Sequence, residues 1–142
     1  MISNPKHGWC VFELGDFKGG PSYLTDVPVD LLDAFIDYHE KGAGIAWFDE
    51  EGNEFTFVIN PYAIYIIEEK EKPILHDFSI IKVKELEEEL IKDIEKDLDL
   101  WALEFVVSDE QNEIQKHKQE ICEKIKTLKG YMNGRRPKDG KQ

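Results

Sequence analysis

The fold turns on one stretch, Ile45-Ala46-Trp47-Phe48-Asp49-Glu50-Glu51-Gly52-Asn53-Glu54-Phe55-Thr56-Phe57-Val58-Ile59-Asn60-Pro61-Tyr62-Ala63-Ile64-Tyr65-Ile66-Ile67. Three runs of aromatic and β-branched residues, 45–48, 55–59 and 63–67, are joined by short polar corners, the pattern of an antiparallel meander. Phe55 and Phe57 alternate with Thr56, so one face of that strand is the less buried. Ile64 to Ile67 is apolar on both faces and calls for cover from both sides. Asp49 to Glu54 superficially suggests a calcium loop. It lacks the alternating D-x-[DN]-x-[DN]-G ligands and the Glu six positions after the Gly, so a hairpin turn is expected and no metal site is assigned.

Upstream, Trp9-Cys10-Val11-Phe12-Glu13-Leu14 reads as a strand ended by Gly15-Asp16, and Gly19-Gly20-Pro21-Ser22 breaks the chain again. A helix over 27–41 follows, with Asp26 as N-cap, Pro28 in its first turn and Gly42 at its end. Leu31, Leu32, Phe35, Ile36 and His39 recur at helical spacing and face the core. Downstream, 74–78 is a short strand or loop. From 84 to 105 the apolar positions Leu86, Leu90, Ile94, Leu98, Trp101 and Phe105 make a single stripe of one long helix. Ser108 with Gln111 forms a capping box that opens a helix over 109–129, ended by Gly130. Its stripe, Ile114, Ile121, Cys122, Ile125 and Leu128, is thin. The expected architecture is α+β: an antiparallel sheet of about four strands packed by two helices, plus a C-terminal helix. Residues 1–107 form the domain, 108–130 a helix packed on it or projecting from it, and 131–142 a flexible basic tail.

Charge divides the 142-residue chain in two. Residues 1–107 hold 9 basic and 24 acidic residues, whereas 108–142 hold 9 basic and 6 acidic, for a net −12 overall. An acidic body disfavours binding to nucleic acid or anionic lipid, which depends on Lys and Arg. No apolar run approaches the ~20 residues of a membrane-spanning helix, and the first residues offer no signal-peptide core. Cys10 and Cys122 have no CxxC partner and read as buried thiols, consistent with a cytoplasmic protein. No cofactor motif is present. Gly15 and Gly20 have phosphate-loop spacing, but Pro21-Ser22 follows where Lys-Ser/Thr is required.

Candidate recognition residues are acidic and aromatic. Asp26, Asp30, Asp33 and Asp37 step by 4, 3 and 4 along one side of the 27–41 helix, either as a solvated face or as a surface for a cationic partner. Asp49, Glu50 and Glu51 add charge at the hairpin. A further acidic run extends from Glu85 to Glu104. Trp47 and Tyr62 lie in or beside loops and strands, where aromatics form either core or contact centres; core is the commoner fate of a residue like Trp47. For catalysis the chain offers His7, His39, His76, His117 and Cys10, and no G-x-S-x-G, H-E-x-x-H or kinase-type pattern joins them. No catalytic residue is assigned.

Small size, acidity, an α+β layout and the lack of a catalytic signature, with the stretches Gly8 to Phe17, Tyr23 to Pro28 and Asn60-Pro61-Tyr62, resemble the immunity proteins of bacterial polymorphic-toxin and contact-dependent inhibition systems. The resemblance spans about residues 8–105. It implies a stoichiometric inhibitor that binds a basic toxin domain and obstructs its active site. The expectation is therefore a non-catalytic acidic module that binds a basic protein, possessing no direct contact with nucleic acid or membrane. Two alternatives stay open. One is a small hydrolase or metal-dependent enzyme with a dispersed His and carboxylate site. The other is a structural protein that self-associates through Ile114, Ile121, Ile125 and Leu128 of the 109–129 helix.

Overall fold

The computed structural model describes residues 1–134. The chain runs β1 (Ile2–Lys6), β2 (Trp9–Leu14), β3 (Phe17–Gly19), α1 (Val27–Lys41), β4 (Gly44–Asp49), β5 (Glu54–Asn60), β6 (Ala63–Glu68), β7 (Ile74–Asp77), α2 (Val83–Lys96), α3 (Leu98–Glu104) and α4 (Gln111–Met132). The architecture is α+β. A four-stranded antiparallel meander, β4-β5-β6-β7, is accompanied by a small three-stranded sheet, β1-β2-β3, and four helices. The expected meander forms in the expected order, with Trp47 opposite Thr56 and Thr56 opposite Ile67. The 74–78 segment supplies its fourth strand.

Strand alternation decides what the two sheets bury. Ala46, Phe48, Phe55, Phe57, Ile59, Ile64 and Ile66 point inward from the meander and are buried. From the small sheet Phe12 meets them, its ring 5.9 Å from Phe48, 5.1 Å from Phe55 and 6.4 Å from Phe57. Such tilted aromatic pairs are worth about 0.5–1.5 kcal/mol beyond their area. Helix α1 lies against β4 and β5 and buries Leu31, Leu32, Ala34, Phe35 and Ile36. Its punctuation is as expected: the Asp26 carboxylate accepts from the Val29 N–H, and Gly42 ends the helix at φ 89°. The link between the sheets is Ser22, whose N–H donates to the Asp49 carbonyl while the neighbouring Pro21 carbonyl accepts from Cys10.

Several expectations are corrected. The N-terminal residues form a strand, β1, which the sequence pattern hid: Pro5 interrupts it, its register with β2 shifts between Ser3 and Lys6, and Asn4 and His7 adopt positive φ. The stripe from Leu86 to Phe105 does face the core, but on two helices. At Asp97 (φ −131°, ψ 40°) the N–H turns back to Ile94, and the Trp101 indole N–H donates to the Asp93 carbonyl left without its helical partner. Ser108 makes no capping box; its hydroxyl accepts from Glu110 just ahead of α4. Gly130 does not stop α4, which continues to Met132. This helix packs on the domain against α1 and α3. Ile121, Ile125 and Leu128 are buried in the common core with Ile114 packed against it, so the stripe offered for self-association is already covered by the chain itself. Cys122, expected in that stripe, is exposed. Most of the expected tail, from residue 135 onward, lies outside the described residues.

Candidate interaction surface

The aspartate row of α1 is not an open face. Because α4 packs along α1, it sets its own cations on that row: Lys124 Nζ lies 2.7 Å from Asp33, and His117 Nε2 lies 2.7 Å from Asp26. His117 Nδ1 meets the Ala102 carbonyl at 2.8 Å. Both ring nitrogens thus face oxygen acceptors, an arrangement that the imidazolium form, with its two N–H donors, satisfies. Burial pulls the His117 pKa down, but the hydrogen bonds to Asp26 and Ala102 and the charges of Asp26 and Glu120 outweigh it and leave it raised. Asp30, between the two pairs, has no cation beside it among the described residues. Burial, followed by the charges of Asp26 and Asp33 and more weakly of Glu120, raises it to about 6. Asp37 pairs with Lys41 one turn on, at 3.5 Å. The cationic partner of Asp26 and Asp33 is therefore the basic arm of the same chain. Asp26 and Asp33 thus have partners within the chain, while their side chains stay 30% and 44% exposed.

A different surface is left open. The meander's outer side carries two cross-strand rows, Ile45–Val58–Tyr65–Asp77 and Trp47–Thr56–Ile67–Leu75. No helix covers it. Trp47 is 44% exposed, Ile45 64% and Leu75 61%, so the expectation that Trp47 belongs to the core is corrected. Next to the Trp47 row lies an acidic row. Asp49 pairs with Glu54, and the Glu54 carbonyl accepts from the N–H of Glu69. The Trp47 indole N–H donates to Glu54 at 2.9 Å, which holds the ring beside that row. Asp77 closes the other row on β7. Two hydrogen bonds from Ser79 lower its pKa and keep it ionised. The result is an apolar and aromatic centre bordered by carboxylates.

Other expected recognition residues are dispersed around it. Glu51, at φ 55°, sits exposed in the β4–β5 turn as the hairpin reading requires. Glu50 is directed to the small sheet, where it accepts from the Gly20 N–H at 2.8 Å. Tyr62, 91% exposed, stands in the β5–β6 turn at the opposite end of the strands from the acidic row. Sequence reasoning missed Glu54, Glu69, Ile67 and Leu75 as members of the face. Their signal was the period of two that joins them to Trp47 once the register is known.

The histidines and thiols do not converge on one centre. His39 binds the buried Glu87 and stacks on Tyr131, while His76 binds Glu68. Burial raises the Glu87 pKa, and His39 offsets part of that rise. A surface groove of about 770 Å³ between the β1–β2 hairpin and the α2–α3 junction does gather His7, Cys10, Asp97 and Glu104. Burial pushes the Cys10 thiol up to about 12, the opposite of nucleophile activation. Glu104 is already held by the Gly8 N–H at 2.8 Å. Among the described residues no group of three or more His, Cys, Asp or Glu is placed to hold a metal ion, and no helix is long and apolar enough to cross a membrane. Comparison of the chain with protein-family models, with curated proteins and with solved structures returns no match.

Proposed function

We propose that the protein is a binding module that docks a basic protein on the outer face of the β4–β7 meander. The observation that carries this reading is the outer surface on which exposed Trp47, Ile45 and Leu75 flank half-buried Ile67, Val58 and Tyr65, beside Asp49, Glu54, Glu69 and Asp77. Apolar and aromatic groups supply affinity when desolvated, and the surrounding carboxylates steer and orient a cationic partner. The chain from 43 to 81 carries two lysines against eight carboxylates, so the field over this face has one sign. The resemblance to immunity proteins adds a partner class, a basic toxin domain whose active site would be obstructed by occupancy of this face in a cytoplasmic complex.

Affinity capture from cells of the native source tests the reading, using the wild-type chain and a Trp47→Ala/Leu75→Ala variant whose fold is checked by circular dichroism. A basic protein retained by the wild type at low salt, weakened by added NaCl and lost with the variant, is the expected outcome. Equal retention by both chains, or salt-indifferent capture of acidic proteins, overturns it. A large toxin-like gene beside the coding sequence, and loss of its toxicity on co-expression, would support the narrower immunity reading.

A further inference from the structure

The hydrogen-bond phase of the meander identifies which backbone groups are open at its edges. The Phe78 N–H donates to the Ile64 carbonyl at 2.7 Å, and the register continues with Ile66 opposite His76 and Glu68 opposite Ile74. In an antiparallel ladder the residues that bond the neighbour alternate with residues that bond the other side. Residues 74, 76 and 78 therefore face β6, while Leu75 and Asp77 aim N–H and C=O away from the sheet. Among the described residues no hydrogen bond outside the strand ladders reaches those four groups.

The other edge is covered at its two ends, while Ile45 and Trp47 keep outward backbone groups between them. The Glu50 N–H bonds the Asn53 carbonyl, which sets Ile45, Trp47 and Asp49 as the outward residues of β4. The Asp49 carbonyl is then taken by Ser22 at 2.9 Å, and the Gly44 end lies so close to α1 that a Cβ there would fall 1.8 Å from the Ala34 carbonyl oxygen. Strand β7 has no comparable cover. Its four residues contain no lysine, proline or bulge, so of the usual protections of an exposed edge only its shortness and the charge of Asp77 act. Ile74 and Leu75 are exposed, as is Ile80 just beyond them.

Accepting the docking face proposed above, we infer that its partner is read in extended conformation and joins the sheet as a fifth strand against β7. The two rows of the outer face end on Leu75 and Asp77, so a strand added there continues both. Its residue opposite Leu75 is apolar and its residue opposite Asp77, two positions away, is Lys or Arg. Main-chain bonds to Leu75 and Asp77 supply register, and the net negative field supplies the choice of a basic segment. A second copy of this chain fits poorly, since self-pairing brings one acidic face against another.

Three short capped peptides that repeat Val-Thr-Lys-Thr test the inference by isothermal titration calorimetry. One is unmodified, one is N-methylated at the Thr positions, and one is N-methylated at the Val and Lys positions. Side chains and charge are the same in all three; only the backbone edge presented to β7 differs. The first two are expected to bind, and the third at least about tenfold more weakly, because it cannot donate to the edge. In parallel, Leu75→Pro removes an outward N–H without touching the bonds to β6. It should weaken the Thr-methylated peptide at least about fivefold relative to Leu75→Thr, with thermal unfolding used to verify the fold. Equal binding of the two methylated peptides overturns the fifth strand but leaves the docking face standing. No binding by any peptide overturns the inference, and the capture experiment then decides the docking face separately. A concentration-dependent dimer that Leu75→Pro abolishes, with no peptide bound, overturns it in favour of self-pairing.

Discussion

His117 is the residue whose protonation the packing dictates. It is buried, and it stands between the Ala102 carbonyl and the Asp26 carboxylate. Its folded pKa is raised, so its contribution is fully present below the unfolded value near 6.5 and is lost as pH rises through the folded value. His117→Gln should destabilise the protein by about 2–3 kcal/mol at pH 6 and by clearly less at pH 9, read from urea unfolding at the two pH values. A pH-independent difference would mean that the ring acts through packing alone. Asp30 is raised to about 6, from an ordinary value of 3.8. Its ionisation in the folded state therefore costs stability, which is lost as pH climbs from about 4 through about 6. Asp30 is only half-buried and solvent screens much of the effect, so Asp30→Asn should stabilise by about 1 kcal/mol at pH 7.5. The gain should vanish near pH 3.5. A loss of stability at pH 7.5 would show that the ionised carboxylate is supported there.

At the scale of elements, legibility followed periodicity. The meander and α1 were readable because strand alternation, helical spacing and punctuation at Asp26, Pro28 and Gly42 all agree. Two features were not readable, for different reasons. The stripe from Leu86 to Phe105 keeps its period across the break at Asp97, since both helices bury the same side; the Asp97 backbone turn and the hydrogen bond from Trp101 to the Asp93 carbonyl distinguish two helices from one. The destination of the aspartate row was hidden because the residues that complete it, His117 and Lys124, lie 91 positions away. Charge asymmetry between the acidic body and the basic arm agrees with that pairing, but composition alone does not name the residues that pair. The contact of α1 with β4 yields a prediction of its own. At Gly44 a Cβ would overlap the Ala34 backbone, and neither element is free to withdraw, because Ala34 and Gly44 both lie within packed layers. Gly44→Ala should cost about 3 kcal/mol or more in urea unfolding. Gly20→Ala, whose nearest neighbour would be the Cys10 carbonyl at 3.9 Å, should change stability by about 0.5 kcal/mol or less. Equal effects at the two sites would remove the close approach as the reason for glycine.

The whole molecule carries a net charge of −12, and two electrostatic effects of opposite sign act on its stability. Long-range repulsion among carboxylates opposes the folded state. Short-range pairs between α4 and the body favour it: Asp33 with Lys124 at 2.7 Å, Asp99 with Lys118 at 2.8 Å and Glu95 with Lys129 at 3.0 Å. Salt separates the two by range. The Debye length falls from about 30 Å at 0.01 M to about 10 Å at 0.1 M, so repulsion across the molecule is screened long before these close contacts are much affected. The pairs are also largely exposed, and exposed pairs contribute about 0–1 kcal/mol each. Repulsion should therefore dominate the response. Raising NaCl from about 0.01 to about 0.3 M at pH 8 is expected to increase Tm by about 2–4 °C, followed by differential scanning calorimetry. The same salt should weaken capture of a basic partner, so stability and binding move in opposite directions. If Tm falls instead, the α4 pairs outweigh the repulsion, and the acidity of the body is then chiefly the seat of its own basic helix. The remaining excess on the meander would lose its electrostatic argument for an external partner and would have to rest on the apolar rows alone.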